Sequence, residues 1–326
     1  MTLAAGRDLG ALRPGLERWL GRPVGDLRRP APGFSCETLV IDDEVVIRLP
    51  PSGAGIFPTY DLAQQAAVQD AAARAGVPVA GPARYEPDPS FLGAPFLAMP
   101  FAPGPIPGDF TAGDPWLAGL PGDADRAAVW RSFLGVLPVV HRARAEGLGL
   151  RRGLAEELAW WQGYVAWATD GFPPPALVDA LAWCADRRPA SEPPGGLLWG
   201  DVRLGNVVFD PDRRAPRAVL DWDMAGVGPA EMDLAWFLAL RAVEEDLTGT
   251  TVPGFGSREQ AIAVVEAGLG RPLDDLVWYE VFALVRASAV STRIALLFER
   301  AGRRSMFTAD GDPTLAAAVT RIERSG

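Results

Sequence analysis

The chain has 326 residues, more than one small core usually organises, which favours two lobes or two modest domains. Hydrophobic residues make up 48% and charged residues 22%, so composition excludes disordered and fibrous classes. The formal net charge of -10 argues against binding nucleic acid. The sequence contains no lysine, which excludes a P-loop, because that motif ends in Gly-Lys-Ser or Gly-Lys-Thr.

The cysteine and hydropathy patterns predict a reduced, cytoplasmic protein. Cys36 and Cys184 are far apart and form no CxxC pair, so we expect two packing residues rather than a disulfide or a zinc site. No segment reaches the ~20 uninterrupted apolar residues of a membrane span, and the first residues lack a signal-peptide pattern. The sequence therefore predicts neither a membrane nor a nucleic-acid partner.

The first hundred residues are predicted to be rich in strands, with one helix. Residues 37–49 form two β-prone runs separated by Asp42 and Asp43, which is a hairpin signal. An Ala-rich helix is predicted over residues 61–75, and a short strand over residues 95–101. Repeated Gly and Pro in residues 102–122 then predict a loop or hinge.

Helical periodicity dominates the remainder of the chain. The predicted helices cover residues 125–146, 154–168, 176–187, 229–243, 257–269 and 273–301. Residues 197–224 are the exception and are predicted to form short strands and polar loops. The expected architecture is α+β and bilobal, with a small antiparallel N-lobe (residues 1–101) and a larger helical C-lobe (residues 102–326).

Two polar segments within residues 197–224 carry the chemical signal. The catalytic loop, defined here as residues 199–206 (WGDVRLGN), places Asp201 and Asn206 five residues apart, a spacing typical of phosphoryl-transfer sites. Asp221 follows the apolar run of residues 218–220, as expected of a metal-binding Asp at the end of a strand. Asp and Asn oxygens suit Mg²⁺, so Asp201 is predicted as the catalytic base and Asn206 and Asp221 as metal ligands. The alternative is a turn-rich hairpin, in which Asp and Asn are common.

Three stretches, LLWGDVRLGNVVFD, AVLDWDMAGVGPAEMDLAWF and LGAPFLAMPF, resemble the aminoglycoside-phosphotransferase superfamily. The similarity is greatest to the branch related to the kinase-like domain found beside some acyl-CoA dehydrogenases. The resemblance implies a protein-kinase-like fold and transfer of the γ-phosphate of ATP, or another NTP, to a small-molecule hydroxyl with Mg²⁺. An antibiotic, a sugar, a choline-like amine and a hydroxyacyl thioester all remain open as substrates.

The resemblance also implies roles for further residues of the C-lobe. Asp233 occupies a position that supports the catalytic loop. Arg203 either contacts the γ-phosphate, as a catalytic residue, or forms a structural ion pair that restrains Asp201. Asp223 either approaches a second metal, or orients Asp221, or is a solvated carboxylate.

In the N-lobe, the resemblance places Arg48 where relatives have the lysine of the third strand. Arginine stays charged and can hold phosphate oxygens in a bidentate fork. Gln65 stands where relatives often have the glutamate that pairs with this cation, so we expect it to orient Arg48 as a neutral substitute. If Gln65 does not orient Arg48, Asp61 is the alternative partner of Arg48.

The remaining nucleotide contacts are expected at two loops. The glycine-rich loop is reduced to Gly33, so phosphate binding would depend on the backbone near Ser35. Residues 99–103, including Met99 and Phe101, are predicted to bind adenine.

Two other functional classes stay open. A nucleotide-binding pseudokinase without turnover is suggested by Gln65 and the reduced glycine loop. A metal-dependent hydrolase could use Asp201, Asp221 and Asp223, although it leaves the hinge and the N-lobe unexplained.

Other conspicuous side chains have structural explanations. His141, the only histidine, is expected to pack within a helix. Trp160, Trp161 and Trp167 are expected to belong to the core, with a substrate pocket as the alternative.

Overall fold

The computed structural model describes residues 6–30, 35–305 and 311–325. Its N-lobe contains a five-stranded antiparallel sheet with the strand order β1-β2-β3-β5-β4. The strands are Leu27–Arg28 (β1), Glu37–Ile41 (β2), Val45–Leu49 (β3), Arg84–Glu86 (β4) and Phe96–Pro100 (β5). This small antiparallel sheet confirms the predicted fold class.

The central hairpin of the sheet matches the predicted one. Asp42 and Asp43 both have positive φ, as the turn of a two-stranded hairpin favours, and Ile41 pairs with Val45 across it. Successive strand residues alternate between faces, so Arg48 lies on the opposite face from the buried neighbours on either side. Arg48 therefore faces away from the apolar layer of the N-lobe.

That apolar layer is covered by a helix that the sequence analysis missed. Helix α1, Leu9–Leu20, packs Leu12 and Leu16 against the sheet, so the expectation of a single N-lobe helix was wrong. Pro14 inside the helix removes a backbone donor and obscures the helical pattern. The Asp8 side chain caps the helix by accepting hydrogen bonds from two backbone N–H groups.

The predicted N-lobe helix is confirmed as α2, Leu62–Arg74. It packs against β4 and β5 on the face of the sheet that carries Arg48. Asp61 is exposed and caps this helix, accepting a hydrogen bond from Gln64 N at 2.8 Å. Asp61 is thus occupied at the helix end and is not the alternative partner of Arg48.

The C-lobe is largely helical, as predicted. Its helices are Pro115–Ala118 (α3), Asp123–Leu134 (α4), Val136–His141 (α5), Gly153–Ala168 (α6), Pro175–Asp186 (α7), Glu231–Thr248 (α8), Arg258–Leu269 (α9), Leu276–Arg300 (α10) and Pro313–Ser325 (α11). The helix predicted over residues 125–146 is divided at Gly135 into α4 and α5.

Helix α10 is the central element of this lobe. It packs against α6, α7, α8 and α11. Within the described residues it is the one helix long and apolar enough to cross a membrane, but 78% of its apolar window is buried inside the fold. Its apolar character is accounted for by contacts with the other helices.

Four short strands lie between α7 and α8 and position the two polar segments. Strands Gly196–Leu198 (β6) and Gly226–Gly228 (β9) pair with each other, as do Val207–Asp210 (β7) and Ala215–Val219 (β8). The catalytic loop connects β6 to β7. The DWD segment, residues 221–223, connects β8 to β9, so the pairing brings both segments to the same side of the C-lobe.

Candidate active site

The start of the catalytic loop is held by a buried carboxylate. Asp233, near the beginning of α8, accepts hydrogen bonds from Trp199 N at 2.8 Å and Gly200 N at 2.9 Å. Burial raises the pKa of Asp233 to about 6, against the opposing effect of these two N–H groups. Gly200 has φ +90°, and a Cβ there would lie 2.1 Å from the Met224 carbonyl oxygen, so this turn requires glycine.

The catalytic loop and the DWD segment are joined by hydrogen bonds. The buried Trp199 donates from Nε1 to the carbonyl oxygens of Leu220, at 2.8 Å, and Asp221, at 3.1 Å. Leu220 N donates to the Asn206 carbonyl oxygen at 2.8 Å. Asp221 has φ +60°, a left-handed conformation that Asp tolerates better than most residues. These contacts join both ends of the catalytic loop to the start of the DWD segment.

Asp201 is held by three side-chain donors. Trp236 Nε1 donates to Oδ1 at 3.0 Å, while Arg203 Nε at 3.0 Å and Asn206 Nδ2 at 2.7 Å donate to Oδ2. A carboxylate offers about four lone-pair sites, so the remaining site is on Oδ1. The Asp201 side chain is 16% exposed. The group is therefore fixed in orientation and can accept one further hydrogen bond, such as that of a hydroxyl.

Two residues in this arrangement were missed by the sequence analysis. Trp236 lies three residues after Asp233 on α8, so both reach the catalytic loop from one helix face; that spacing was the available signal. Asp109, from the Gly- and Pro-rich loop, forms an ion pair with Arg203 and had no sequence signal. The pKa of Arg203 is raised, chiefly by Asp201. Arg203 thus makes the predicted ion pair with Asp201, while its contact with a phosphate remains a prediction.

Asn206 and Asp221 fit the requirements of Mg²⁺. Asn206 donates both to the Asp201 backbone oxygen, at 3.0 Å, and to its carboxylate, which leaves the amide oxygen without a hydrogen bond within the described residues. The neighbouring Asp221 carboxylate is 27% exposed. Among the described residues, no group of three or more His, Cys, Asp or Glu side chains could hold a metal. Two protein oxygens with remaining positions for water and phosphate suit Mg²⁺.

Arg48 reaches across from the N-lobe sheet to the DWD segment. Its Nη2 lies 2.8 Å from Asp223 Oδ2 and 3.3 Å from Asp221 Oδ1. Burial lowers the pKa of Arg48, but the two carboxylates outweigh this effect and raise it well above its ordinary value. Arg48 is therefore a permanent cation beside the predicted metal position.

The expected direct contact between Gln65 and Arg48 was wrong, because Asp223 lies between them. Ser35 Oγ donates to Asp223 Oδ2 at 2.5 Å, and Gln65 Nε2 donates to Oδ1. Gln65 Oε1 is buried without a hydrogen-bond partner, so it does not accept from Arg48. The Gln65 N–H group is a donor, and so is the Arg48 guanidinium. The Gln65 N–H group therefore pairs with the Asp223 carboxylate, which accepts. Asp223 therefore supplies the negative charge that Gln65 lacks.

Asp223 is also not the solvated carboxylate that the sequence left as an alternative. Its side chain is 6% exposed. Burial raises its pKa to about 7, with Arg48 opposing and Asp221 adding to the rise. Burial also acts to raise the pKa of Asp221, but Arg48, the hydrogen bond with Asp223 and Arg203 together outweigh burial, so the pKa of Asp221 is lowered. The two aspartates and Arg48 form one connected charge cluster.

We expect Gln65→Glu to destabilise the protein increasingly as the pH rises past about 7. Because the pKa of Asp223 is raised, ionising it in the folded state costs stability as the pH rises toward about 7, above which it is the full carboxylate that Arg48, Ser35 and Gln65 contact. A second carboxylate can share a proton with Asp223 at pH 6, but both are ionised at pH 8 and repel. The expected loss at pH 8 is on the order of 1–3 kcal/mol, measured by denaturant unfolding at both pH values.

The matched control for this prediction is Ala63→Glu. It adds the same charge to an exposed position of α2. Equal unfolding free energies for the two variants at pH 6 and pH 8 would show that Gln65 does not interact with the Asp223 carboxylate.

The predicted hinge is only partly available to a nucleotide. Met99 is buried in β5, and Phe101 N donates to the Glu44 carbonyl oxygen at 2.7 Å. The contact of Phe101 with a base is thus left to its ring or its carbonyl group. Gly33, the expected glycine of the phosphate loop, lies outside the described residues.

The other conspicuous side chains pack in the fold. His141 Nε2 lies 3.2 Å from the Pro194 carbonyl oxygen, and burial lowers its pKa. Cys36 and Cys184 are free, buried thiols, and burial raises the pKa of each to about 12. Both cysteines are packing residues, as predicted.

Comparison with known proteins shows which family and which fold this chain resembles. The family model described as the phosphotransferase enzyme family matches residues 26–269. The chain is 27% identical over 268 residues to acyl-CoA dehydrogenase family member 10 of Mus musculus, covering 76% of this chain and 24% of that protein. It is 29% identical over 201 residues to acyl-CoA dehydrogenase family member 11 of Homo sapiens, covering 59% of this chain and 24% of that protein. The chain thus spans about a quarter of the length of these relatives.

Solved structures share the fold at low sequence identity. A putative aminoglycoside phosphotransferase from Ralstonia eutropha has a TM-score of 0.70 at 19% identity, covering 95% of this chain and 98% of that one. A macrolide 2'-phosphotransferase from Brachybacterium faecium has a TM-score of 0.56 at 22% identity, and the match covers 95% of this chain and 97% of that chain. These similarities confirm the bilobal α+β architecture.

Proposed function

This chain belongs to the phosphotransferase enzyme family, and from that membership we propose that it transfers the γ-phosphate of ATP or another NTP to a hydroxyl group of a small molecule. The observation that carries the proposal is the environment of Asp201. Three donors, one of them the Asn206 amide group, fix its carboxylate and leave one acceptor site on Oδ1. This is the arrangement that an in-line attack by a hydroxyl on a nucleotide phosphate requires.

In the proposed reaction, Asp201 orients the substrate hydroxyl and accepts its proton. The hydroxyl oxygen forms a bond to the γ-phosphorus, and the bond from that phosphorus to the bridging oxygen breaks, so the nucleoside diphosphate leaves. Trp236 and Arg203 keep the carboxylate in one orientation during the transfer. Most of the rate enhancement in such reactions comes from positioning and charge stabilisation.

The nucleotide is proposed to lie between the lobes. Asn206 and Asp221 would hold Mg²⁺, which when bound neutralises charge on the phosphates. Arg48 adds a permanent positive charge at the same place, and its pairing with Asp221 and Asp223 keeps it there. Relatives described as a GDP complex and an ADP-bound form support a nucleotide co-substrate.

A pseudokinase is the second candidate, since Gln65 replaces the usual glutamate. Asp223 weakens this alternative, because it supplies a carboxylate to Arg48 from the DWD segment. The hydrolase alternative has less support, because it leaves unexplained the N-lobe and its contact from Arg48 to the DWD segment.

The proposal is tested by incubating the full chain with Mg-ATP and a panel of hydroxyl-bearing metabolites, antibiotics and sugars. We expect at least one compound to gain the mass of one phosphoryl group. Binding of Mg-ATP by calorimetry without transfer to any compound would favour the pseudokinase. Absence of both binding and transfer would contradict the phosphotransferase proposal.

A further inference from the structure

A segment of the Gly- and Pro-rich loop, residues 104–112, lies along β7 and the catalytic loop; we call it the flanking segment. At its start, Phe209 N of β7 donates to the Pro105 carbonyl oxygen at 2.9 Å. Farther along, a Cβ added to Gly205 would lie 3.4 Å from the Pro107 carbonyl oxygen and 3.2 Å from Asp109 Oδ1. The flanking segment therefore follows the chain from β7 back into the catalytic loop.

The backbone on both sides of Asp109 is held in place. On one side, Gly108 N donates to Asp114 Oδ2 at 2.8 Å. On the other side, the Thr111 hydroxyl donates to Glu244 Oε1 of α8 at 2.9 Å. Asp109 thus has a defined position, although its side chain is 62% exposed.

From this position Asp109 reaches the arginine of the catalytic loop. Its Oδ1 forms an ion pair with Arg203 Nη1, while Arg203 Nε donates to Asp201 Oδ2 at 3.0 Å. In the described part of the chain, these two aspartates are the ion-pair partners of Arg203. The guanidinium is planar and rigid, so contacts at two of its nitrogens fix its orientation.

The contact with Asp109 determines how much of Asp201 the arginine covers. Arginine and carboxylate groups often pair through two parallel hydrogen bonds, which occupy both carboxylate oxygens. With Nη1 held by Asp109, Arg203 contacts Oδ2 of Asp201 and leaves Oδ1 to Trp236. Without Asp109, the guanidinium is free to turn and cover Oδ1 as well, the oxygen that has the remaining acceptor site.

We propose that Asp109 is a positioning residue for the transfer, which restricts Arg203 to Oδ2 of Asp201 and keeps Oδ1 open for the substrate hydroxyl. This inference rests on the proposed phosphotransferase function. It also assigns Arg203 to the base and not to the γ-phosphate, because an arginine held by two aspartates has to leave one of them to reach a phosphate.

The first test is Asp109→Ala, with Asp109→Glu as the conservative variant. Turnover of Asp109→Ala should fall roughly 3- to 10-fold, between the small effect of an exposed ion pair and the larger effect of misplacing a reacting group. The KM for Mg-ATP should stay unchanged, and Asp109→Glu, which keeps the charge, should retain most of the turnover. A fall in Mg-ATP affinity as large as the fall in turnover would place Arg203 on the phosphates and overturn the inference.

The matched control is Asp123→Ala. It also removes a largely exposed carboxylate, 69% exposed, from an ion pair with an arginine, Arg126 on α4. We expect the control to keep wild-type turnover and KM, and both alanine variants to have similar Tm values. Asp109→Ala should have no further effect in a chain that already carries Arg203→Met, because Asp109 acts through Arg203. Independent, multiplying losses in the double variant would contradict the proposal.

A spectroscopic readout separates this inference from the proposed function. In ¹H–¹⁵N spectra of the full chain without nucleotide, the Arg203 Nε–H signal is identified by its loss in Arg203→Met. Its exchange with solvent should become several-fold faster in Asp109→Ala, because the guanidinium is no longer held on Asp201 Oδ2. If the chain transfers phosphate and this exchange does not respond to Asp109, the inference is overturned and the phosphotransferase stands. If the exchange responds but no compound is phosphorylated, the restraint on Arg203 stands and the proposed function is contradicted.

Discussion

Asp201→Asn is expected to lower turnover by ~100-fold or more, on the scale of general-base effects, while Mg-ATP affinity changes little. The amide cannot accept the proton of the attacking hydroxyl. It also presents an NH₂ group where Asp201 now accepts hydrogen bonds from Trp236, Arg203 and Asn206, so one of these donors loses its acceptor. The metal ligands proposed at Asn206 and Asp221 remain present.

The measurements are initial rates on the acceptor found in the screen, with calorimetry of Mg-ATP binding. Asp212→Asn makes the same chemical change at an exposed turn after β7 and serves as the control. Wild-type turnover in Asp201→Asn would show that another group acts as the base, even if the protein is a phosphotransferase.

Asp221→Ala is expected to reduce both Mg-ATP affinity and turnover, in contrast to the change at Asp201. It removes a charged oxygen ligand, so the phosphates lose counter-charge. Loss of an outer-shell partner alone costs roughly 10- to 100-fold in metal affinity, and loss of a direct ligand should cost at least as much. Arg48 keeps Asp223 as a partner, so the contact between the lobes should survive.

The decisive readout is the magnesium dependence of nucleotide binding. Wild-type protein should bind ADP more tightly with Mg²⁺ than with EDTA, and Asp221→Ala should lose this difference. Asp221→Asn is the conformational control, because Asn tolerates the left-handed backbone that Asp221 adopts. A full magnesium effect in Asp221→Ala would exclude this residue as a metal ligand.

Local patterns in the sequence were sufficient for the main elements and for the central motif. The hairpin at residues 37–49, helix α2 and the strands around the catalytic loop all depend on short-range signals such as turn residues and apolar periodicity. The spacing of Asp201 and Asn206 and the position of Asp221 after a strand were also readable, because one loop and one hairpin carry them. Helix α1 was missed because Pro14 breaks the usual pattern.

The partners of these residues were decided by tertiary packing. Ser35, Arg48 and Gln65 are far from Asp223 in sequence, and only the approach of the two lobes makes Asp223 the carboxylate that engages all three. Likewise, Arg286 reads in sequence as an ordinary helix residue. It becomes a buried cation beneath aromatic rings because α6 and α8 bring Trp161 and Trp236 against α10. Such pairings depend on which groups burial brings together, which local periodicity does not encode.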